Sequence, residues 1–147
     1  MRRHELFCVR TVDIVVTPPL VTVKYQFGDQ TDLGRLNRER HDYDDEATEY
    51  ATERLEAGDR LVLGECEGDV VIYCWLCFGE LELEYQRFMP LGQNAACVYK
   101  VFVVDDFRGR RLYPGAYGFM QPYLQKRGDE TVLTQSWTGN TASQAAM

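Results

Sequence analysis

The stretch VVDDFRGRRLYPGAYGFM, residues 103–120, contains the junction on which the fold prediction depends. It begins at the end of a β-branched run, passes through a loop of arginine and glycine, and continues as an apolar pattern at helical spacing. The first amides of a helix have no partners within the helix, and the helix dipole places partial positive charge on them. A strand, this loop and a helix start therefore predict an anion-binding site that suits a pyrophosphate.

Six residues of the junction would hold the anion: Arg108, Gly109, Arg110, Arg111, Leu112 and Tyr113. Gly109 lets the backbone approach a ligand closely, and arginine side chains can add bidentate contacts to phosphate oxygens. Pro114 suits the first turn of a helix, where its missing N–H group costs little. The alternative interpretation is a solvated basic turn that binds nothing.

The segments on either side of the junction predict buried secondary structure. CVYKVFVV (97–104) is typical of a buried strand, and the pattern from Tyr113 to Lys126 predicts a helix that Gly128 ends. Pro122 lies in the middle of this helix and should kink or split it. TVLTQ (131–135) predicts the next strand.

Further from the junction, the pattern alternates between strands and helices. The predicted elements are strands at FCVRTVDIVV (7–16) and LVTVKYQF (20–27), helices from Thr31 to Arg38 and from Asp44 to Leu55, a hairpin of RLVLGE (60–65) and VVIYCWLCF (70–78) that turns at Gly68-Asp69, a further strand or sheet edge at ELELEY (80–85), and a loop at RFMPLGQN (87–94). This order predicts one α/β domain over residues 1–147, with a mixed, mostly antiparallel sheet and helices on both faces.

Composition narrows the classes of function. The chain has 147 residues, a net charge of −7 and a pI of about 4.8. Nucleic acid is excluded as the main partner, because phosphate binding needs basic residues across a whole face. An acidic surface favours cationic substrates such as amines. No apolar run reaches membrane-spanning length, so no membrane partner is expected.

The five cysteines predict a reduced, cytoplasmic protein, because they are odd in number and lie mostly in strand-like sequence. Cys74 and Cys77 have the CxxC spacing of redox pairs and zinc sites. In a strand, however, residues three apart point to opposite faces, so the pair is awkward for chelation. We therefore expect no metal.

The junction and its surroundings resemble the GCN5-related N-acetyltransferase (GNAT) superfamily. The acyl-CoA loop of that family is written Arg/Gln-x-x-Gly-x-Gly/Ala after a strand, and VFVVDDFRGRRLYPGAY places Arg108 and Gly109 at its opening. TVLTQSWTGNTASQAAM resembles the fifth strand of the family and its Asn-x-x-Ser segment, with Asn140 and Ser143 at the matching positions. The resemblance covers about residues 20–147 and leaves 1–19 as an additional N-terminal strand.

The resemblance implies transfer of an acetyl or similar acyl group from acetyl-CoA, or another acyl-CoA, to an amine acceptor that is a small molecule or a peptide. The amides of Val101 and Val103 would hold the pantetheine and polarise the thioester carbonyl, while residues 108–113 and Asn140 would bind the rest of CoA. Tyr99, or Glu82 or Glu84 through a water, would take the proton of the amine. The alternatives are a core tyrosine and a solvated strand face.

The sequence also departs from the family pattern. The two later loop glycines fall on Arg111 and Tyr113, and the glutamate base of many members falls on Tyr99. The sequence also stops before the last helix and strands of the family, as expected of a fragment, of a reduced domain or of a domain whose edge a partner supplies. These departures favour a second hypothesis, a catalytically inactive module that binds CoA or a protein partner. They also raise a third, a homodimer in which each copy completes an open sheet edge beside the fifth strand.

Overall fold

The computed structural model describes residues 4–39, 43–84 and 87–137. Within them the chain forms eight strands and three helices. The strands are β1 His4–Arg10, β2 Lys24–Gly28, β3 Arg60–Cys66, β4 Asp69–Phe78, β5 Glu80–Glu84, β6 Arg87–Pro90, β7 Ala95–Val103 and β8 Thr131–Trp137, and the helices are α1 Gln30–Glu39, α2 Asp45–Glu56 and α3 Leu112–Arg127. None of the described helices is long and apolar enough to cross a membrane.

Six strands form one sheet in the order β1-β8-β7-β4-β3-β2. Every neighbouring pair is antiparallel except β7 and β8, which are parallel. Strands β5 and β6 form a separate antiparallel pair. Helix α3 packs on one face of the large sheet, and α1 and α2 pack on the other. The predicted mixed, mostly antiparallel sheet with helices on both faces is therefore confirmed.

Each face of the sheet has its own apolar core. On the α3 side, Leu112, Ala116, Met120 and Leu124 follow one another at the four-residue spacing of a helix face and are fully or almost fully buried. On the other side, leucines of α1 and an alanine of α2 cover Trp75. Each large apolar side chain buried in this way contributes roughly 1.5–3 kcal/mol.

The N-terminal strand prediction is wrong beyond Arg10. Residues Thr11–Asp13 form a 3-10 turn, and residues 14–23, called here the N-terminal segment, run across α3. Gln121 of α3 donates to the carbonyls of Thr11 and Ile14, at 3.0 and 3.2 Å. These contacts hold the start of the segment on α3 instead of beside another strand, and the next strand begins only at Lys24.

Two turn predictions also need correction. The β3–β4 turn is formed by Glu67 and Gly68, which both have positive φ, 51° and 87°, rather than by Gly68 and Asp69. Two residues of positive φ give the turn whose twist matches that of the flanking strands. The predicted loop at residues 87–94 begins with β6, which pairs with β5 from Glu80 to Glu84. Pro90 closes this short strand at an end, where a missing N–H group is tolerated.

Helix α3 is continuous through Pro122, so the predicted split is wrong. Met120 and Leu124 on either side of the proline are fully buried against the sheet. Tertiary packing of this kind outweighs the local cost of a proline. The predicted helix end is confirmed, because Gly128 caps α3 with φ 89°.

The open edge expected beside the fifth strand is not open. Strand β1 pairs with β8 along its whole length, from His4 opposite Trp137 to Arg10 opposite Thr131. The edge of β8 therefore needs no second copy of the chain, and the physical reason for the predicted homodimer is removed. The homodimer itself stays a prediction.

Candidate functional site

Strands β7 and β8 are paired at one end only. Their parallel register joins Ala95–Val98 to Thr131–Thr134, whereas β7 continues unpaired with β8 to Val103 and β8 continues to Trp137. These two ends, residues 99–103 and 135–137, are not paired with each other and are called here the strand fork. A gap between two strands at the centre of a sheet can admit an extended ligand between them.

A β-bulge in β7 lies at the start of the strand fork. Trp75 of β4 pairs with Tyr99 and Tyr73 pairs with Phe102, so Lys100 and Val101 together face a single residue of β4. Lys100 has φ 49°, which is rare for a residue other than glycine. A bulge bends its strand and increases its twist, which explains why β7 leaves β8 at this point.

The backbone of β7 presents amides to the strand fork. The N–H group of Val104 donates to Val71 of β4 at 2.9 Å. Because backbone groups point alternately to the two sides of a strand, the N–H groups of Val101 and Val103 point away from β4 and toward the fork. These are the two residues predicted to hold the pantetheine.

The predicted anion loop leads directly into α3. Residues Arg108 to Arg111 are exposed, and Arg111 precedes the helix in the left-handed conformation, with φ 62° and no side-chain capping bond. Gly109 also has positive φ, 76°. Left-handed residues within a turn direct successive amides into a concave surface that suits anions. The predicted helix is confirmed and begins one residue earlier than expected, at Leu112, with no side-chain cap.

The two other arginines of the loop lie against neighbouring residues. Arg108 forms an exposed ion pair with Asp105 at 3.1 Å and donates to the carbonyl of Val103 at 3.3 Å. The guanidinium of Arg110 lies over the ring of Phe107, 5.5 Å from its centre. Exposed ion pairs are worth only about 0–1 kcal/mol, so Arg108 can exchange Asp105 for a phosphate at little cost.

Two hydrogen bonds anchor the side of the loop that leads into α3. The N–H group of Leu20 in the N-terminal segment donates to the carbonyl of Arg110 at 2.9 Å, and the Tyr25 hydroxyl of β2 donates to that of Leu112 at 2.7 Å. Two bonds to different elements fix the direction of the first amides of α3 before a ligand arrives. Such preorganisation reduces the ordering cost of binding.

Leu112 and Tyr113 can serve an anion only through their backbone amides, because both side chains are buried in the core. The Tyr113 hydroxyl lies 3.3 Å from that of Tyr117, which bonds Thr134 of β8. Burial raises the pKa of Tyr113 well above its usual value and that of Tyr117 to about 12, so both phenols stay neutral. These bonds fix α3 to β8.

On the opposite face of the sheet, Tyr99 belongs to a buried hydrogen-bond network. Its hydroxyl donates to Asp59, and Nε of Arg54 contacts the same carboxylate oxygen at 3.0 Å. Burial raises the pKa of Tyr99, and the charge of Asp59 raises it further. The phenol therefore carries its proton at neutral pH and can donate or relay that proton, but it is not a free base.

Glu82 lies in the same region, where its carboxylate accepts a bond from the Tyr50 hydroxyl. The ammonium of Lys100 lies over the Tyr50 ring, 4.3 Å from its centre. Together these side chains form what we call the polar cluster, which consists of Tyr50, Arg54, Asp59, Glu82, Tyr99 and Lys100. The side chain of Glu84 and all of Asn140 lie outside the described residues.

Sequence reasoning missed four members of the polar cluster: Tyr50, Arg54, Asp59 and Lys100. One signal was present for Lys100, which is the only charged residue of β7. Another was the spacing of Tyr50 and Arg54, which lie four apart and therefore on the same side of α2. Nothing local identifies Asp59, which joins the cluster through the fold alone.

Cys74 and Cys77 lie in the two different cores, as the strand geometry predicted. Burial raises the pKa of Cys74 to about 12, so its thiol stays protonated. Among the described residues, no group of three or more His, Cys, Asp or Glu side chains is arranged to hold a metal ion. The absence of a metal remains an expectation.

Solved structures show which fold this is. AAC(6′)-Iy in complex with the bisubstrate analogue CoA-S-monomethyl-acetylneamine is similar at a TM-score of 0.64 and 15% identity, over 84% of this chain and 86% of that one. A predicted acetyltransferase from Clostridium acetobutylicum, solved with acetyl-CoA, is similar at 0.60 and 13%, over 84% and 88%. The chain has the acyl-CoA N-acyltransferase fold.

Larger proteins contain the same fold as a part. A GCN5-related N-acetyltransferase from Kribbella flavida is similar at a TM-score of 0.59 and 16% identity, over 92% of this chain but only 48% of that one, so this chain spans about half its length. No protein-family profile matches the chain, and no curated protein is similar to it in sequence. At such identities the likeness concerns the fold, and activity has to be argued from the site.

Proposed function

We propose that this protein, which has the fold of the GCN5-related N-acetyltransferases, transfers an acetyl or similar acyl group from acyl-CoA to an amine. The observation that carries the proposal is the spatial order of three features: the strand fork, the amides of Val101 and Val103, and the uncapped start of α3. An extended thioester with a pyrophosphate has the same order of chemical groups.

The binding half of the proposal assigns CoA to the α3 side of this path. Backbone N–H groups from Arg108 to Tyr113 would donate hydrogen bonds to the pyrophosphate, and the arginine side chains would add charge-assisted contacts. The pantetheine would lie along β7 as an additional strand lies along a sheet edge. Asn140 remains a candidate for a further CoA contact, on the resemblance alone.

The chemical half assigns the acceptor to the side of the polar cluster. The amine nitrogen attacks the thioester carbonyl carbon, the C–N bond forms, the C–S bond breaks, and CoA leaves as the thiol after taking a proton. Negative charge develops on the carbonyl oxygen, and an amide of Val101 or Val103 would stabilise it. No covalent enzyme intermediate is needed.

The proton of the amine has two routes. Glu82 could accept it through a water, with Glu84 as a further candidate on the same strand. Alternatively, Tyr99 could receive the proton while it passes its own hydroxyl proton to Asp59. Asp59 is in turn paired with the Arg54 guanidinium. The second route uses only groups that are already in hydrogen-bond contact.

The experiment is thiol release from acetyl-CoA with a panel of amines, together with CoA calorimetry. Wild-type protein should bind CoA and release thiol with at least one amine. Arg108→Glu should abolish binding without unfolding the chain, because Arg108 is exposed. Lys24→Glu makes the same charge change at an exposed position of β2 and should bind CoA normally. Equal binding by both variants would contradict the proposed cradle.

The second candidate is a catalytically inactive module that binds CoA or a protein partner. It is favoured by Tyr99, which stands where many family members have a glutamate base and is already bonded to Asp59. A pure binder gives a CoA binding isotherm that Arg108→Glu abolishes, but releases no thiol with any amine. The same two measurements therefore separate the two functions.

A further inference from the structure

Lys100 occupies the most unusual position in the polar cluster. It lies in the bulge where β7 leaves β8, and its backbone is left-handed. Such conformations cost of order 1–3 kcal/mol in a residue with a side chain and persist where the surroundings hold them. A strained lysine at the start of the strand fork calls for an explanation that packing does not give, because the residue is exposed.

The bulge determines which side of the sheet Lys100 faces. Tyr99 lies in the core on the α1 and α2 side, so regular alternation would send the next side chain to the α3 side. Instead the Lys100 ammonium contacts the ring of Tyr50 on α2. The bulge has turned this cation toward the side proposed for the acceptor, which is a common use of a bulge beside a site.

Within the described part of the chain, the Lys100 ammonium is not paired directly with a carboxylate, since none lies within ion-pair distance of it. Glu82 is near enough to act on it electrostatically but is bonded to Tyr50, and Arg54 is a second cation in the neighbourhood. Although Lys100 is exposed overall, enough of it is covered that desolvation lowers its pKa from the usual value, an effect that Glu82 opposes and Arg54 reinforces. An added anion would relieve this cost.

We propose that Lys100 binds an anionic group of the acceptor, so that the substrate is an amine that also carries a carboxylate, such as an amino acid or a short peptide. This inference rests on the proposed acyl transfer and adds the substrate class to it. Glu82 and Lys100 then present opposite charges side by side: the carboxylate of Glu82 faces the reacting amine, and the Lys100 ammonium faces the carboxylate of the acceptor.

The test uses matched acceptors that differ by one carboxylate: glycine against methylamine, β-alanine against ethylamine, 4-aminobutanoate against propylamine, and L-phenylalanine against 2-phenylethylamine. Thiol release from acetyl-CoA gives kcat/KM for each. Wild-type protein should prefer the carboxylate member of at least one pair by about 10- to 100-fold, the range expected for a hydrogen bond to a charged group. The two amines of a pair differ in basicity, but that difference is the same for every variant. Comparing the kcat/KM ratio of a pair between variants therefore removes its contribution.

Three variants complete the design. Lys100→Gln should bring the preference within that pair down toward one, whereas Lys100→Arg should retain part of it, because the positive charge remains. Lys24→Gln removes an exposed lysine of β2 and should leave the preference unchanged within about twofold, as expected for a site remote from the cluster.

The inference is overturned if no pair shows a carboxylate preference, if Lys100→Gln keeps the wild-type ratio, or if mass spectrometry finds the acetyl group on Lys100 itself. The last result would make Lys100 an acceptor rather than a binding group. Failure of the proposed function looks different, because wild-type protein would then release no thiol with any amine of either kind, whether or not it binds CoA in the calorimeter.

Discussion

Backbone strain at single residues coincides with the proposed chemistry. Four described residues other than glycine have positive φ: Glu67, Asn94, Lys100 and Arg111. The first two lie in exposed turns, where such conformations are common. Lys100 lies at the strand fork and Arg111 at the start of α3, on the two sides of the proposed CoA path. A strained conformation of this kind costs about 1–3 kcal/mol, so function is the reason we infer for keeping it.

Arg111→Gly should stabilise the protein while preserving CoA binding. Glycine adopts φ 62° without the steric cost of a side chain, so we expect a gain of about 1 kcal/mol, or roughly 2–4 °C in melting temperature for a domain of this size. Arg111→Glu should show no such gain and should weaken CoA, because a carboxylate beside the helix start competes with the pyrophosphate. A large loss of affinity in Arg111→Gly would show that the guanidinium, rather than the loop amides, carries binding.

Tyr99→Phe should destabilise the chain and slow acyl transfer. The substitution leaves buried Asp59 with Arg54 but without its phenol donor, which costs about 1–3 kcal/mol in urea unfolding. If the phenol relays the amine proton, kcat falls while KM stays the same. Tyr123→Phe removes a hydroxyl from a half-buried ring of α3 and is the matched control. A normal kcat in Tyr99→Phe would indicate that Glu82 or Glu84, and not Tyr99, takes the proton of the amine.

Among the elements, the first turn of α3 determines how closely β2 and the N-terminal segment can pack beside the proposed CoA loop. Gly115 is buried one turn into the helix, where an added Cβ would collide with the Tyr25 hydroxyl and lie 3.3 Å from Pro19. That same hydroxyl holds the carbonyl of Leu112 at 2.7 Å. The glycine therefore keeps β2 and the N-terminal segment in contact with the first turn of α3.

The two glycines of α3 make a matched test of this packing. Gly118→Ala would place a Cβ at an ordinary 3.4 Å from Val16 and should stabilise the helix by roughly 0.5–1 kcal/mol. Gly115→Ala gains the same helix propensity but forces Tyr25 aside, so we expect a net loss of about 1–3 kcal/mol. Calorimetric melting temperatures of the two variants should move in opposite directions. Equal shifts would mean that Tyr25 relaxes without cost.

Sequence patterns predicted the elements whose conformation is decided locally or by simple burial. The apolar run at 97–104 and the helical spacing from 112 to 124 both became the expected β7 and α3. Residues 14–23 could not be predicted, because Gln121 and the surface of α3 determine their course. The polar cluster could not be predicted either, since it joins α2, the turn before β3, β5 and β7, and these last two strands are distant from α2 in sequence.

At the scale of the whole molecule, the sheet has a paired half and a divided half. Strand β1 covers the outer edge of β8, and the sheet from β2 to β7 is continuous, so the strand fork is a gap inside the sheet and not at one of its edges. The α3 side of that gap has amides and arginines, and the other side has the polar cluster. Two substrates entering from opposite faces would meet at the bulge of β7.

Hydrogen exchange should reveal this division. Without ligand, amides in the paired residues 95–98 of β7 should exchange more slowly than those of Val101 and Val103, which point into the fork and lack a strand partner. CoA should slow exchange in residues 101–104 and 108–115, because the pantetheine would cover the first range and the pyrophosphate the second. The β2–β3 pair is remote from the fork and serves as the internal control.

A fragment of CoA makes the prediction sharper. Adenosine 3′-phosphate 5′-diphosphate, the part of CoA without pantetheine, should protect residues 108–115 but leave residues 101–104 unchanged, since only the thioester arm reaches the strand fork. Whole CoA should protect both ranges. Protection by CoA confined to the polar cluster, or absent from residues 108–115 at saturating ligand, would place the nucleotide elsewhere and remove the physical basis for treating the start of α3 as its cradle.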